Sequence, residues 1–214
     1  MVNAYLVRGE KSSILVDTGL HGNAKRILNT ISGQGISPKD ISLIVITHAH
    51  SDHTGNLREL VKATGAKIAI GKTDSEYLAK GLNFPLHPRK LLFKIVARFL
   101  PSRSMREGIK ADLVIDSETS LSDYGIKGKI IPTPGHTAGS VSVVLDRGEA
   151  FVGDLFSGGF IRKRRVDYPH FYYDTDVLEK SINKIIDLKP RIIYTGHGGP
   201  FNLETVKRKF GKKA

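Results

Sequence analysis

Three histidines and an aspartate stand within six positions of this sequence, at His48, His50, Asp52 and His53. They directly follow residues 41–47 (ISLIVIT), a nearly continuous β-branched run that is typical of a strand buried on both faces. Alternate side chains of an extended segment point to the same side, so His48 and His50 can reach one metal ion. Once the chain turns, Asp52 and His53 can address a second ion. Imidazole and carboxylate are expected ligands of zinc, and they also suit iron or manganese.

Three further loops each carry one such residue and each follow a predicted strand. His136 lies in PGHTAGS at residues 134–140, Asp154 follows a strand at 150–152, and His197 follows a strand at 192–195. A lone histidine is more often a surface or hydrogen-bonded core residue, but four strand ends together supply a complete ligand set. The chain has no cysteine, which excludes thiolate ligands and disulfides.

The pattern of the remaining chain predicts the elements that position these loops. Strands are predicted at 4–8, 13–17, 41–47, 66–70, 112–116, 129–133, 141–145, 150–154 and 191–195. Helices are predicted at 23–32, 56–64, 73–82 and 177–188, with a last one from residue 203, and Thr73 or Asp74 is the expected N-cap of the third. Strands mixed with helices throughout indicate inner sheets covered by outer helices.

In their order along the chain, the motifs DTG (17–19), HAHSDH (48–53), PGHT, GD and GHG resemble those of the metallo-β-lactamase superfamily, specifically its glyoxalase II-like branch. The resemblance spans nearly the whole chain. It implies an α/β (α+β) fold, a four-layer αββα sandwich, with residues 1–214 as a single domain. It also implies the ligand roles: His48, His50 and His136 on a first metal, Asp52, His53 and His197 on a second, and Asp154 bridging them. Asp17 would fix a ligand histidine from outside, unless it is only a turn residue that closes the second strand.

This resemblance implies a hydrolase with two divalent metal ions, with zinc favoured and iron or manganese as alternatives. A hydroxide bridging the metals would attack a small ester, thioester or lactone, with Asp52 and Asp154 as the catalytic carboxylates. Asp154 argues against a true β-lactamase. Glutathione thioesters are expected to be disfavoured, because the C-terminal helical domain of glyoxalase II enzymes is missing. The alternatives are a phosphodiesterase or ribonuclease, a mononuclear iron dioxygenase, and a basic binding module without activity.

The loop after Asp154 carries candidate substrate-binding residues, namely Tyr168, Tyr172, Tyr173 and Arg162. By family position this loop runs past the mouth of the site. A tyrosine there could donate a hydrogen bond to a substrate oxygen, and the arginine could bind an anionic group. The other interpretation is an aromatic loop that packs on the domain.

Residues 84–106 form an insert with one apolar stripe, made by residues 91, 92, 95, 96, 99 and 100. The stripe predicts a helix that packs on the core, covers the site as a lid, contacts a second copy in a homodimer, or lies on a membrane surface. The stripe is short, which favours a lid or a dimer contact over a membrane.

The chain has 33 basic and 21 acidic residues, giving a net charge of +12. This charge favours a small-molecule substrate that is anionic and keeps nucleic acid open as a less favoured partner. No apolar stretch reaches the length of a transmembrane helix, and the first residues lack the pattern of a signal peptide. A cytoplasmic location is therefore expected.

Overall fold

The computed structural model describes residues 2–89, 91–99, 102–105, 107–158 and 165–211, apart from the side chains of residues 92 and 96. Its strands are β1 (Tyr5–Arg8), β2 (Ser13–Val16), β3 (Ile41–Ile46), β4 (Lys67–Gly71), β5 (Leu113–Ile115), β6 (Thr119–Ser120), β7 (Gly128–Pro132), β8 (Val141–Leu145), β9 (Glu149–Phe151), β10 (Ser157–Gly158), β11 (Val166–Asp167), β12 (Ile192–Tyr194) and β13 (Phe201–Asn202). Its helices are α1 (Ala24–Gly33), α2 (Ser51–Thr54), α3 (Leu57–Thr64), α4 (Lys72–Lys80), α5 (Leu91–Ala97), α6 (Thr175–Asp187) and α7 (Leu203–Phe210).

The strands form two main sheets and a small third one. The first sheet has the order β1-β2-β3-β4-β5, antiparallel between β1 and β2 and parallel from β2 to β5. The second has the order β13-β12-β9-β8-β7-β6, and in it only β9 and β12 pair in parallel. Strands β10 and β11 pair separately. Strand β3 is central in its sheet, as its continuous apolar sequence predicted.

Three apolar clusters show how these layers stack. Alternate residues of β3 separate the layers: Leu43 and Val45 pack between the two sheets, and Ile44 and Ile46 pack beneath α3 and α4. On the far face of the second sheet, α6 and α7 cover β9 and β12. The result is the predicted four-layer sandwich, with helices outside and sheets inside.

Helix α4 differs from the sequence prediction at its start. Its N-cap is Gly71, so the expectation that Thr73 or Asp74 would cap it was wrong. Asp74 instead lies in the first turn of the helix and is fully buried. Buried carboxylates need hydrogen-bond partners, and those of Asp74 lie in two loops of the candidate site described below.

The insert contains the expected helix, α5, but the described side chains of its stripe are exposed, and the side chains of residues 92, 96 and 100 lie outside the description. Leu91, Ile95 and Phe99 are exposed, so these residues do not pack on the core. The helix is attached through a different residue, Phe93, whose ring stacks on His170 with a centroid distance of 4.1 Å. No helix within the described ranges has the length and apolar character to span a bilayer.

Candidate metal centre

The histidine motif begins where β3 ends. His48 and His50 lie in the extended segment that follows this strand, and the short helix α2 then carries Asp52 and His53. His136 lies in the loop between β7 and β8, Asp154 follows β9, and His197 follows β12. The carboxyl ends of β3, β9 and β12 therefore deliver all seven predicted ligands, together with the β7–β8 loop, to one edge of the sandwich.

Four of the histidines are held from behind by hydrogen bonds. His53 Nδ1 donates to Asp17 Oδ2 at 2.8 Å, and His136 Nδ1 donates to the carbonyl of Phe171 at 2.6 Å. His50 Nε2 donates to the carbonyl of Phe84 at 3.1 Å. Carbonyl and carboxylate oxygens only accept hydrogen bonds, so the ring nitrogen in each of these contacts carries a proton. In a neutral ring, the other nitrogen then has a lone pair that can bind a metal ion.

Thr47 holds His48 in the same way, with the proton on Nδ1 and the lone pair on Nε2. The Thr47 hydroxyl donates to Asp17 Oδ2 at 2.8 Å and can accept the Nδ1 proton of His48 at 3.1 Å. The Nε2 atom of His48 is then a lone-pair donor within the histidine cluster. The centroid of the His48 ring lies 4.0 Å from that of His53 and 4.5 Å from that of His136. One carboxylate, Asp17, thus fixes two rings at once, as expected of a residue that orients ligand histidines.

The carboxylates lie on the open side of this histidine cluster. His197 Nε2 lies 3.1 Å from Asp52 Oδ2 and 3.4 Å from Asp154 Oδ2. The other oxygen of Asp154 lies 3.6 Å from His53 Nε2. Asp154 therefore contacts both His53 and His197.

These donor atoms form three groups, each within 4.8 Å. The groups are His48, His50 and His136; His48, His53 and Asp154; and Asp52, His53 and His197. Three atoms in them, His48 Nε2, His53 Nε2 and Asp154 Oδ1, are buried without a hydrogen-bond partner. Orphaned buried polar atoms carry a free-energy cost that a coordinated cation removes, so the residues present fit divalent metal ions.

The charges of the centre fall into two parts. Burial lowers the pKa of His48 and His136, and it lowers that of His50 to about 3, so these rings are neutral ligands. The negative charge of Asp154 raises the pKa of His197 to about 11. Burial alone would lower the pKa of His53, but nearby carboxylates, led by Asp17, raise it to about 9. The part of the centre around His53 and His197 therefore attracts positive charge.

Residues 1–197 match the family model for the metallo-beta-lactamase superfamily. The chain belongs to this superfamily. Members of the superfamily typically bind divalent metal ions, and the His and Asp clusters described above are a candidate site for them in this metallo-hydrolase family member. The resemblance seen in the sequence motifs is thereby confirmed.

Several metallo-β-lactamase superfamily relatives match most of the chain. YobT of Bacillus subtilis is 30% identical over 208 residues, which cover 92% of this chain and 83% of YobT. The hydroxyacylglutathione hydrolase GloC of Haemophilus influenzae is 28% identical, with 93% of this chain and 86% of GloC covered. Among solved structures, the BLEG-1 B3 metallo-beta-lactamase has a TM-score of 0.74 at 23% identity, covering 99% of this chain and 95% of its own, and supports the fold alone.

Two positions that sequence reasoning missed also support the superfamily ligand loops. Asp74 accepts hydrogen bonds from the N–H groups of Ala49, at 2.7 Å, and Gly139, at 2.9 Å. Asn3 Nδ2 donates to the carbonyls of Thr195 and Gly198, both at 3.0 Å, on either side of His197. An acid shortly after a predicted strand was the available sequence signal for Asp74, but Asn3 gave none.

A glycine is required beside the carboxylate. A Cβ atom placed on Gly196 would overlap Asp154 Oδ1 and His53 Cε1. Since no side chain fits there, Gly196 lets the backbone before His197 approach the other ligands closely.

The three tyrosines predicted to bind substrate make contacts with other parts of the domain. The Tyr168 hydroxyl donates to Glu179 at 2.7 Å, and its ring packs on Phe210. The guanidinium of Arg89 lies over the ring of Tyr172. The N–H of Tyr173 donates to the carbonyl of Gly135, the residue before His136. For Tyr168 the contacts are those of an aromatic residue packed on the domain. Arg162 lies outside the described residues.

Proposed function

We propose that the chain is a dinuclear metal-dependent hydrolase that acts on a small ester, thioester or lactone. The observation that carries the proposal is the convergence of three buried atoms that form no hydrogen bond, His48 Nε2, His53 Nε2 and Asp154 Oδ1, among the grouped donor atoms of the His and Asp side chains. His48, His50 and His136 would hold one ion, Asp52, His53 and His197 the other, and Asp154 would contact both.

Bound divalent ions, with zinc favoured, would lower the pKa of a coordinated water to roughly 7 and polarise the substrate carbonyl. The protein orients the donors for this chemistry through the outer hydrogen bonds of His48, His50, His53 and His136. Burial excludes water from the histidine side of the centre.

The two aspartates differ in access to the substrate side. The side chain of Asp52 is 29% exposed and that of Asp154 is 11% exposed. Asp52 is therefore the more accessible of the two carboxylates to relay a proton during the reaction, whereas Asp154 would contact both ions. Because both carboxylates are proposed ligands, we expect loss of either to lower metal content, and loss of Asp52 also to remove the proposed proton relay.

Among substrates, we place thioesters first. The alignment takes in 86% of GloC, which is named a hydroxyacylglutathione hydrolase, so a thioesterase of this kind consists largely of the part that this chain matches. A glutathione thioester therefore remains a candidate substrate for the part of the protein described by this sequence. The positive net charge suits such an anionic substrate.

The test is hydrolysis of lactoyl-glutathione by protein reconstituted with zinc, iron or manganese. We expect turnover in at least one metal form, two metal ions per chain, and a loss of about 100-fold or more with Asp154→Ala. Asp112→Ala is the matched control, since this carboxylate accepts a hydrogen bond from Ile68 at the far end of the first sheet. Absence of turnover in every form would move lactones and then phosphodiesters forward as substrates. Oxygen consumption by the iron form with a persulfide would instead favour a dioxygenase, and one metal per chain would contradict the dinuclear proposal.

A further inference from the structure

The insert between α4 and β5 carries a row of exposed apolar side chains. Leu91, Ile95 and Phe99, which we call the apolar row, are 75%, 54% and 84% exposed. They are spaced four residues apart, so they lie along one face of α5 and the turn that follows it. The other large exposed apolar residues of the described ranges, Leu20, Val114 and Leu188, lie singly on separate elements. Single exposed apolar residues are ordinary, whereas a contiguous row marks an interaction surface.

The opposite side of the helix fixes the direction of the apolar row. Phe93 stacks on His170 and contacts Phe171 with a centroid distance of 5.6 Å. Just before the helix, the Arg89 guanidinium lies 4.2 Å from the ring centroid of Tyr172. Turning the row inward would break these contacts, so it faces outward while Phe93 faces the domain.

The charge around the apolar row has one sign. From residue 77 to residue 106 the sequence contains lysines and arginines but no aspartate or glutamate. Lys94 and Arg98 are exposed on α5 and directly after it. In the part of the chain that the structure describes, neither has a carboxylate within 4.0 Å. The face thus combines apolar side chains with unneutralised cations.

We propose that this face docks on the surface of an anionic lipid bilayer. The apolar row would enter the boundary between headgroups and acyl chains, and Lys94 and Arg98 would contact lipid phosphates. A second copy of the chain fits less well, because a two-fold contact places the same patch against itself and would bring the cations of both copies together. This inference does not depend on the proposed hydrolase activity.

Docking through α5 would also orient the candidate metal centre. Phe171, which contacts Phe93, accepts the hydrogen bond of His136 through its carbonyl. The bilayer would therefore contact α5, which packs through Phe93 on the residue whose carbonyl binds His136, a proposed ligand. Because α5 has only seven residues, the binding is expected to be reversible and sensitive to salt.

The test is co-sedimentation of the whole chain with vesicles at low salt. We expect binding to phosphatidylcholine vesicles that contain about 30% phosphatidylglycerol and little binding to phosphatidylcholine alone. The double variant Ile95→Glu with Phe99→Glu should bind about tenfold or more weakly, and Lys94→Glu about fivefold more weakly.

Two controls make matched changes at the ends of strands that lie opposite the ligand loops, Leu188→Glu to be compared with Ile95→Glu alone and Lys67→Glu with Lys94→Glu. Leu188→Glu adds an acid at another exposed apolar residue just before β12, and Lys67→Glu reverses an exposed cation at the start of β4. Each should change vesicle binding less than the corresponding change on α5, with thermal unfolding confirming that every variant folds. Equal losses in the controls would show attraction by net charge only and would overturn the proposal. So would an absence of binding to the anionic vesicles, or a dimer in light scattering that the double variant separates, since the apolar row would then be covered by a second copy.

Discussion

The carboxylate of Asp74 accepts a hydrogen bond from the backbone N–H of Ala49 at 2.7 Å, although 25 positions separate the two residues. Ala49 lies between His48 and His50, and the second oxygen of Asp74 binds the N–H of Gly139 in the loop that carries His136. One side chain at the start of α4 thus fixes the backbone around the three proposed ligands of the first metal. The relationship makes Asp74 a positioning residue that touches no ligand side chain.

The stability of the metal-free protein should depend on pH through Asp74. Burial raises the pKa of this carboxyl from 3.8 to about 6, against the hydrogen bonds from Ala49, Thr137 and Gly139. A folded pKa above the unfolded value means that the favourable contribution is present below pH 3.8 and lost as pH rises through about 6. The free energy of unfolding, relative to Asp74→Asn, should therefore fall by about 2 kcal/mol between about pH 4 and pH 6. Urea unfolding of both proteins across this range measures it, and a flat or rising difference would contradict the assignment.

Replacement of Asp17 by asparagine should weaken binding of the second metal. Asparagine tolerates the positive φ of 60° at this position and keeps an acceptor for Thr47, but it removes the negative charge beside His53. We expect affinity for that ion to fall about 10- to 100-fold, as measured by zinc titration against a competing chelator. Asp40→Asn, the same change in an exposed capping box, should leave the affinity within about twofold. An unchanged affinity in Asp17→Asn would show that the carboxylate only closes the turn.

Asn3→Ala should loosen the loop that carries His197. The variant loses two hydrogen bonds, to the carbonyls of Thr195 and Gly198, at a cost of about 1–2 kcal/mol. The affinity for zinc of the proposed second metal site, which includes His197, should fall as a result. Asn202→Ala is the matched control, because it removes the N-cap of α7 at a cost of about 1 kcal/mol without touching the loop. If both variants lowered zinc affinity equally, the effect would be one of general stability and the role of Asn3 would be refuted.

Gly196→Ala should damage the metal centre directly. The added methyl group overlaps Asp154 Oδ1 and His53 Cε1, so these proposed ligands must shift. We expect a loss of about 1–3 kcal/mol in unfolding free energy and fewer than two metal ions per chain. Gly33→Ala, at a position in α1 with open space around it, should instead be neutral or stabilise by up to about 1 kcal/mol. Full metal content in Gly196→Ala would argue against the assignment of Asp154 to both ions.

Local sequence was sufficient for the histidine motif and most of the elements. The side-chain period of an extended chain places His48 and His50 on one side, and it does so without any information from the rest of the fold. The β-branched run before them predicted a strand in the interior of a sheet, which β3 confirmed. The N-cap of α4 was the exception, since a local propensity for Asp74 to cap the helix lost to its long-range hydrogen bonds.

The supporting contacts came only from the tertiary structure. Asn3 lies 192 positions from Thr195, and no pattern in either segment announces the other. For α5, amphipathic spacing predicted the helix correctly but not the side that faces the domain. The stacking of Phe93 on His170 decided that orientation. Periodicity therefore determined which residues share a face, while the partner of each face depended on segments that only folding brings together, because contacts between distant segments depend on how the whole chain packs.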